Sequence, residues 1–401
     1  MFKYLNSGTI TSIPGFKAVG LHCGLKKQKK DLAMIYSDFP AESAGTFTIN
    51  KVKAAPLLVS QSIVKSDQKI RALIVNSGNA NACTGEKGLN DALAIQEYCA
   101  AKFGLKNEEV LVSSTGVIGV KLNTEAIKNG IDKISLSDSL PAGHDAAEAI
   151  MTTDTKAKSF AMEVELESGK VIIGGICKGS GMIMPNMATM LAFTGTDAEI
   201  EKTFLQEIVS EAVAKSFNRI SVDGDTSTND MVILLANGAS KIKITKGSDD
   251  AEKFKSALID FYKTLAQSIV KDGEGATKFV NVIVQSAKNE KDADVIAKSI
   301  VNSPLVKTAL NGADANWGRI ISAAGYSGVD FDPAKVTIKI ADKEIFKPGY
   351  VSHFDEDELK EILLKKDITI TFDLGDGDAS TEWWTCDFSK EYIEINASYR
   401  T

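Results

Sequence analysis

The 401-residue sequence predicts an α+β fold: a layered sandwich of mixed β-sheets and helices, with a smaller C-terminal α+β subdomain. Three observations point there. Extended and helical runs alternate along the whole chain. Several extended runs are joined by short glycine-containing turns, which favours mixed sheets over a doubly wound parallel one. Hydrophobic residues make up 44% and charged residues 25%, the balance of a globular chain rather than a disordered or fibrous one.

The elements follow in order. Residues 72–76 form a short apolar run ending in Ser77-Gly78-Asn79 and read as a buried strand. Leu89, Leu93, Ile95, Cys99 and Phe103 recur broadly at helical spacing, with Gly104 behind them as a C-cap. Residues 110–114 are again extended. Residues 161–167 and 171–177 flank a turn containing Gly169 and read as a hairpin. Thr196 with Glu199 forms a capping box before a helix carrying Ile200, Phe204, Ile208, Ala212 and Phe217. Residues 231–236 read as a strand. Ser248 caps a longer helix through Phe254, Leu258, Phe261, Leu265 and Ile269, ending near Gly273. A strand over 277–285 follows. The last third carries helices near 291–302 and 356–365, and strands near 335–341, 367–373, 381–387 and 391–396. The polar stretch 286–294 suggests a boundary, which gives the C-terminal subdomain roughly 287–390.

Composition excludes several function classes. With 46 basic and 53 acidic residues the net charge is −7, without the basic excess that nucleic-acid binding leaves. No apolar run approaches the ~18 residues of a membrane span. The first 17 residues, MFKYLNSGTITSIPGFK, lack the apolar core of a signal peptide, so the expectation is a soluble cytoplasmic protein. Five scattered cysteines without a CxxC pair argue against a disulfide framework or a zinc ribbon. His22, His144 and His353 stand in no metal-binding spacing, so no metal is expected and any nucleophile needs a base other than imidazole. The charge runs 26–30 and 355–361 read as solvated faces. Asp223, Asp225, Ser227 and Asn229 alternate like half a calcium loop. Thr228 at the glycine position and Leu234 at the glutamate position rule that loop out, leaving a polar turn that supports a site. The acidic stretch 373–378 reads as a hairpin turn.

The densest segment is 174–194, GGICKGSGMIMPNMATMLAFT. Its order around Lys178 is Lys-Gly-Ser-Gly, which is not a phosphate loop. A glycine-rich turn between two core strands accounts for it. A second account is chemical. A threonine hydroxyl is a poor nucleophile unless a base activates it, and the α-amine of an N-terminal threonine is one known base. Cutting between Ala188 and Thr189 would create that amine in a chain poor in histidine.

KGSGMIMPNMATML resembles the corresponding block of the ornithine acetyltransferase (glutamate N-acetyltransferase) family of arginine biosynthesis. DLAMIYSD, AGTFTINKVKAAP, NSGNANACTG, SSTGVIG, MTTDT, SVDGDTSTND, KDGEGATK, GADANWGRI and YIEINASYRT resemble further blocks of that family in the same order. The likeness spans nearly the whole chain; Ile49 in FTIN, where the family more often has threonine, is a minor departure. The resemblance implies a precursor cut between Ala188 and Thr189 into chains 1–188 and 189–401, with Thr189 the nucleophile that carries acetyl. Thr115 and Gly116 of SSTG match the family's oxyanion-stabilising pair. Thr152, Lys178, Thr189, Glu274, Asn396 and Thr401 match its substrate-binding positions, with Thr153 and Thr155 close beside Thr152. Lys178 can pair with a carboxylate and Glu274 with an ammonium, the two charges that ornithine and glutamate present. The implied reaction moves acetyl from N2-acetylornithine to glutamate without cofactor or metal, on the fold shared with self-processing D-aminopeptidase-like hydrolases. The implied assembly holds two of each chain. Some members resemble acetyl-CoA-dependent synthases, and the sequence leaves that donor open. The alternative is an amidase or aminopeptidase on the same fold, in which water resolves the acyl-enzyme.

Overall fold

The computed structural model describes residues 1–184 and 190–398; Ala188, Thr189 and Thr401 lie outside the described residues. The described chain divides into two units, one formed by Met1–Asn218 with Asp225–Ile269, the other by Arg219–Gly224 with residues 270–398.

In the first unit the main sheet runs in the order Phe2–Tyr4, Lys158–Glu165, Lys170–Lys178, Leu191–Thr196, Met231–Ala236, Leu32–Phe47, Ile70–Asn79, Val110–Val117. Phe16–Leu21 pairs alongside Leu32–Phe47. The pairing is mixed. Leu191–Thr196 is parallel to Met231–Ala236, and Ile70–Asn79 is parallel to Val110–Val117. The hairpin predicted around Gly169 forms between Lys158–Glu165 and Lys170–Lys178. Leu32–Phe47 spans 16 residues because it serves different neighbours in succession. Its first part faces Ile70–Asn79 and its last part faces Met231–Ala236. Pro40, which has no N–H to give a ladder, falls where the register shifts between Tyr36 and Ala41.

Leu191–Thr196 and Met231–Ala236 are buried at every position, which requires cover on both faces. Helix Leu140–Ala149 packs on Phe16–Leu21 and touches both strands of the Gly169 hairpin. Ala55–Val64 and Gly85–Phe103 pack on Val110–Val117, and Gly104 ends the latter helix with φ of +64°.

The second unit holds a six-stranded sheet in the order Ile220–Ser221, Ala379–Cys386, Phe279–Ala287, Asp367–Asp373, Thr337–Ile340, Lys343–Phe346. Burial nearly alternates along Phe279–Ala287, and Val280, Val282 and Val284 share a core with Ile296 and Ile300 of helix Glu290–Asn302. No helix among the described residues is long and apolar enough to cross a membrane.

Three local expectations are corrected. Thr196 and Glu199 do not form a capping box. Thr196 ends a buried strand, Glu199–Ile200 pairs with Lys243–Ile244, and the Glu201 carboxylate caps helix Lys202–Ala214 through the N–H groups of Thr203 and Phe204. The turn at 373–378 does not close a hairpin, because Asp367–Asp373 and Ala379–Cys386 lie on opposite sides of Phe279–Ala287. Residues 391–396 are not a strand but part of helix Lys390–Ser398, on which Phe388 stacks with Tyr392 at 4.9 Å.

Gly20 tests the helix-on-strand packing. A Cβ there would lie 1.9 Å from the Asp145 carbonyl oxygen of helix Leu140–Ala149. Gly20→Ala is expected to lower the unfolding free energy by roughly 1–3 kcal/mol or more, read from the urea midpoint. Gly325→Ala, whose Cβ would meet nothing within 4 Å, is expected to leave it unchanged or raise it. Equal midpoints for the two variants would contradict the packing.

Candidate active site

Two parallel strand ends form the base of the site. Ser77 of Ile70–Asn79 lies opposite Thr115 of Val110–Val117, and Gly78 lies opposite Gly116. Gly116 has φ of +129°, and a Cβ there would sit 2.5 Å from the Gly78 carbonyl carbon. Both the backbone and the close approach demand glycine. The ladder becomes irregular at Asn79, and the side chains of NSGNAN take up the groups it leaves. Asn76 Nδ2 donates to the Asn79 carbonyl at 2.9 Å, Asn79 Nδ2 to the Val120 carbonyl at 3.1 Å, and Ser114 Oγ to Asn76 Oδ1 at 2.6 Å.

Lys178 closes strand Lys170–Lys178 in a buried position, and its Nζ donates to Thr115 Oγ1 at 3.4 Å. Behind it lies Asp154, a residue the sequence reading missed. Asp154 accepts from the N–H of Thr152 at 3.0 Å, the N–H of Gly179 at 2.7 Å and Lys158 Nζ at 2.7 Å. Burial by itself would raise its pKa, but the charges of Lys178 and Lys158 and these donors hold it well below the usual carboxylate range. The only sequence signal was its place in the block MTTDT.

Of the broken calcium pattern, Ser227 and Asn229 lie in a polar, buried turn over 227–230, whereas Asp223 is half-buried and Asp225 exposed. Asn229 Nδ2 donates to the carbonyls of Ala80 and Ser114, each at 2.7 Å, which holds the residue just before Thr115. Asp230 Oδ1 accepts the N–H of Met190, the residue after Thr189, at 2.8 Å. The run 26–30 is not solvated throughout. Lys26 is half-buried and donates to the Lys30 carbonyl at 3.0 Å and the Met151 carbonyl at 2.7 Å. Among the described residues, no group of three or more His, Cys, Asp or Glu could hold a metal ion.

The second unit carries the other candidates. Glu274 is buried and its Oε2 accepts from Asn396 Nδ2 at 2.8 Å. Gly275 has φ of +66°, and a Cβ there would reach 2.5 Å from the Tyr392 nitrogen. Asp387, also missed from sequence, ties this loop down. It accepts from the N–H of Thr277 at 2.8 Å, Thr277 Oγ1 at 2.6 Å, the N–H of Lys278 at 2.8 Å and Asn311 Nδ2 at 2.7 Å. The described candidates therefore fall into two groups: Thr115, Gly116, Thr152 and Lys178 in the first unit, Glu274 and Asn396 in the second.

A model of the ArgJ family matches residues 17–401. The "arginine biosynthesis bifunctional protein ArgJ" of Chlorobaculum tepidum is 49% identical over 388 residues, 96% of each chain. The protein so described from Bacillus subtilis is 48% identical over 397 residues, covering 98% of this chain and 97% of its own. Among solved structures, ArgJ from Bacillus halodurans is 45% identical with a TM-score of 0.46, covering 47% of this chain and 98% of that one. Ornithine acetyltransferase from Mycobacterium tuberculosis, solved with ornithine, is 36% identical with a TM-score of 0.43, covering 46% and 99%.

Asp154 supplies the sharpest test of this geometry. Asp154→Asn removes the anion buried between Lys158 and Lys178 and is expected to cost about 3–5 kcal/mol at neutral pH. The folded pKa of Asp154 lies below the unfolded ~3.9, so its stabilisation is complete above the unfolded value and is lost progressively as pH falls from there toward the folded one. Between pH 5 and 3 the wild type should lose unfolding free energy more steeply than Asp154→Asn. Parallel pH curves would contradict this.

Proposed function

This chain belongs to the ArgJ family, and on that premise we propose that it is a glutamate N-acetyltransferase of arginine biosynthesis. It moves acetyl from N2-acetyl-L-ornithine to L-glutamate through an acetyl ester on Thr189. The observation that carries this is the meeting of Lys178 with Thr115 beside Gly116: an ammonium, a hydroxyl and a strand end that only glycine allows. These are the groups needed to hold a substrate carboxylate and a developing oxyanion.

The sequence of steps balances. Thr189 Oγ attacks the Ala188 carbonyl carbon, the C–N bond breaks, and the resulting ester is hydrolysed by water. Chains 1–188 and 189–401 result, and Thr189 gains a free α-amine. That amine, with an ordinary pKa of about 7.7–8.0, accepts the hydroxyl proton near neutral pH. Thr189 Oγ then attacks the acetyl carbonyl of N2-acetylornithine, with Thr115 and Gly116 as donors to the oxyanion. The proton passes to the departing amine of ornithine. The uncharged amine of glutamate attacks the ester, N-acetylglutamate leaves, and Thr189 recovers its proton. Lys178 holds the amino-acid carboxylate. By the family resemblance Thr152, Glu274, Asn396 and Thr401 are further substrate-binding residues. The description of the relatives as bifunctional supports acetyl-CoA as a second donor to the same hydroxyl. The enzyme works in the cytoplasm as an assembly of two 1–188 and two 189–401 chains, with no metal or cofactor.

The amidase alternative needs the same nucleophile but no site for a free amino acid, and the buried Lys178 and Glu274 weigh against it. Substitution of Thr189 tests the proposal. Thr189→Ala should abolish both the 188/189 cut on gels and acetyl transfer to glutamate. Thr189→Ser, which keeps the hydroxyl, should retain part of each. Full transfer by Thr189→Ala would remove the nucleophile, and hydrolysis outrunning transfer in the wild type would favour the amidase.

A further inference from the structure

We propose that Lys26 selects glutamate as the acetyl acceptor by binding its second carboxylate. This rests on the acetyl exchange proposed above and adds a specificity residue to it. The starting point is a problem of charge. Ornithine brings one carboxylate and a side-chain ammonium, whereas glutamate brings two carboxylates. Lys178 answers one carboxylate, so a dicarboxylate acceptor needs another cation near it.

Lys26 is built to be that cation. Buried Asp31 accepts the backbone N–H groups of Cys23, Gly24, Leu25 and Lys26 at 2.6, 3.2, 2.7 and 2.8 Å. This fixes the backbone from which the side chain starts. The Lys26 stem lies over Gly78, its Cγ 3.2 Å from where a Cβ would stand, and Gly78 is the register partner of Gly116. Its Nζ reaches the carbonyl of Met151, next to Thr152. Two of its three protons go to neutral carbonyls, those of Met151 and Lys30. Among the described residues no carboxylate forms an ion pair with it, unlike Lys30, which pairs with Asp145 and Glu148. Asp31 is already committed to its four N–H groups and has His22 Nδ1 3.2 Å from its Oδ2, and Asp154 is committed to Lys158, Thr152 and Gly179. A half-buried ammonium beside the site, with a donor to spare, is a subsite for an anion.

The charged groups that act on Lys26 set its titration. Burial lowers its pKa to about 8, Asp31 and Asp154 oppose that fall, and Lys29 and Lys178 add to it. Below about pH 8 the ammonium is charged and attracts a carboxylate; above it that attraction is lost.

In a double-displacement reaction, kcat/KM for each substrate reports its own half-reaction. Lys26→Met is expected to lower kcat/KM for glutamate at least tenfold more than it lowers kcat/KM for N2-acetylornithine. The preference for glutamate over glutamine as acceptor should collapse toward unity, and Lys26→Arg should restore part of it. In the wild type that preference should fall above about pH 8, a ratio from which the amine titrations common to both acceptors cancel; this needs no variant. Equal losses in both half-reactions, or an unchanged glutamate-to-glutamine ratio, would overturn the assignment of Lys26 alone. A wild-type enzyme that takes acetyl from N2-acetylornithine but never passes it to glutamate would overturn the transferase proposal together with it.

Discussion

Asp154 is the interaction on which the first-unit site depends. One buried carboxylate accepts the backbone N–H groups of Thr152 and Gly179 and the ammonium of Lys158, in the field of Lys178. Two loops far apart in sequence are thereby held at one point, and the cations beside them keep a counter-charge where water is scarce. Such a cluster is weak evidence for stability as a whole, because desolvation offsets much of the attraction. Removing the single anion is another matter, since the cost of burying the lysines then goes unanswered.

The same device recurs. Asp31 gathers four consecutive N–H groups under the 23–26 loop, and Asp387 gathers the 277–278 backbone with Asn311. In each case an acidic side chain replaces the missing strand or helix partners of a loop. Loops that carry binding groups can thus be rigid without regular structure. The strand ends supply the other half of the design. Ile70–Asn79 and Val110–Val117 stop in an irregular ladder at Asn79, and the asparagines of NSGNAN make that irregularity specific.

Much of this was legible in the sequence, for physical reasons. Short apolar runs such as Met231–Ala236, and the helical spacing ending at Gly104, report burial and period directly. Local composition misled where apolar residues fit two periods. In 391–396 the run reads as extended, yet Tyr392 and Asn396 stand four apart on helix Lys390–Ser398, and Phe388, just before it, stacks on Tyr392. Thr196 and Glu199 have capping-box spacing, but a buried strand claims the first and a second small sheet the other. Asp154 stood out only by its place in MTTDT, Asp387 not at all, and Lys26 only within a charge run that reads as solvated. Their partners, Gly179, Thr277 and Met151, are brought to them only by the tertiary fold.

The proposed acetyl exchange requires a covalent intermediate. Purified protein incubated with N2-acetylornithine in the absence of glutamate, quenched in acid and measured by intact mass, should show one acetyl group on the 189–401 chain. Fragmentation should locate it on Thr189, and adding glutamate should discharge it. An acetyl group on any other residue, or a fully active enzyme that never accumulates one, would contradict the mechanism.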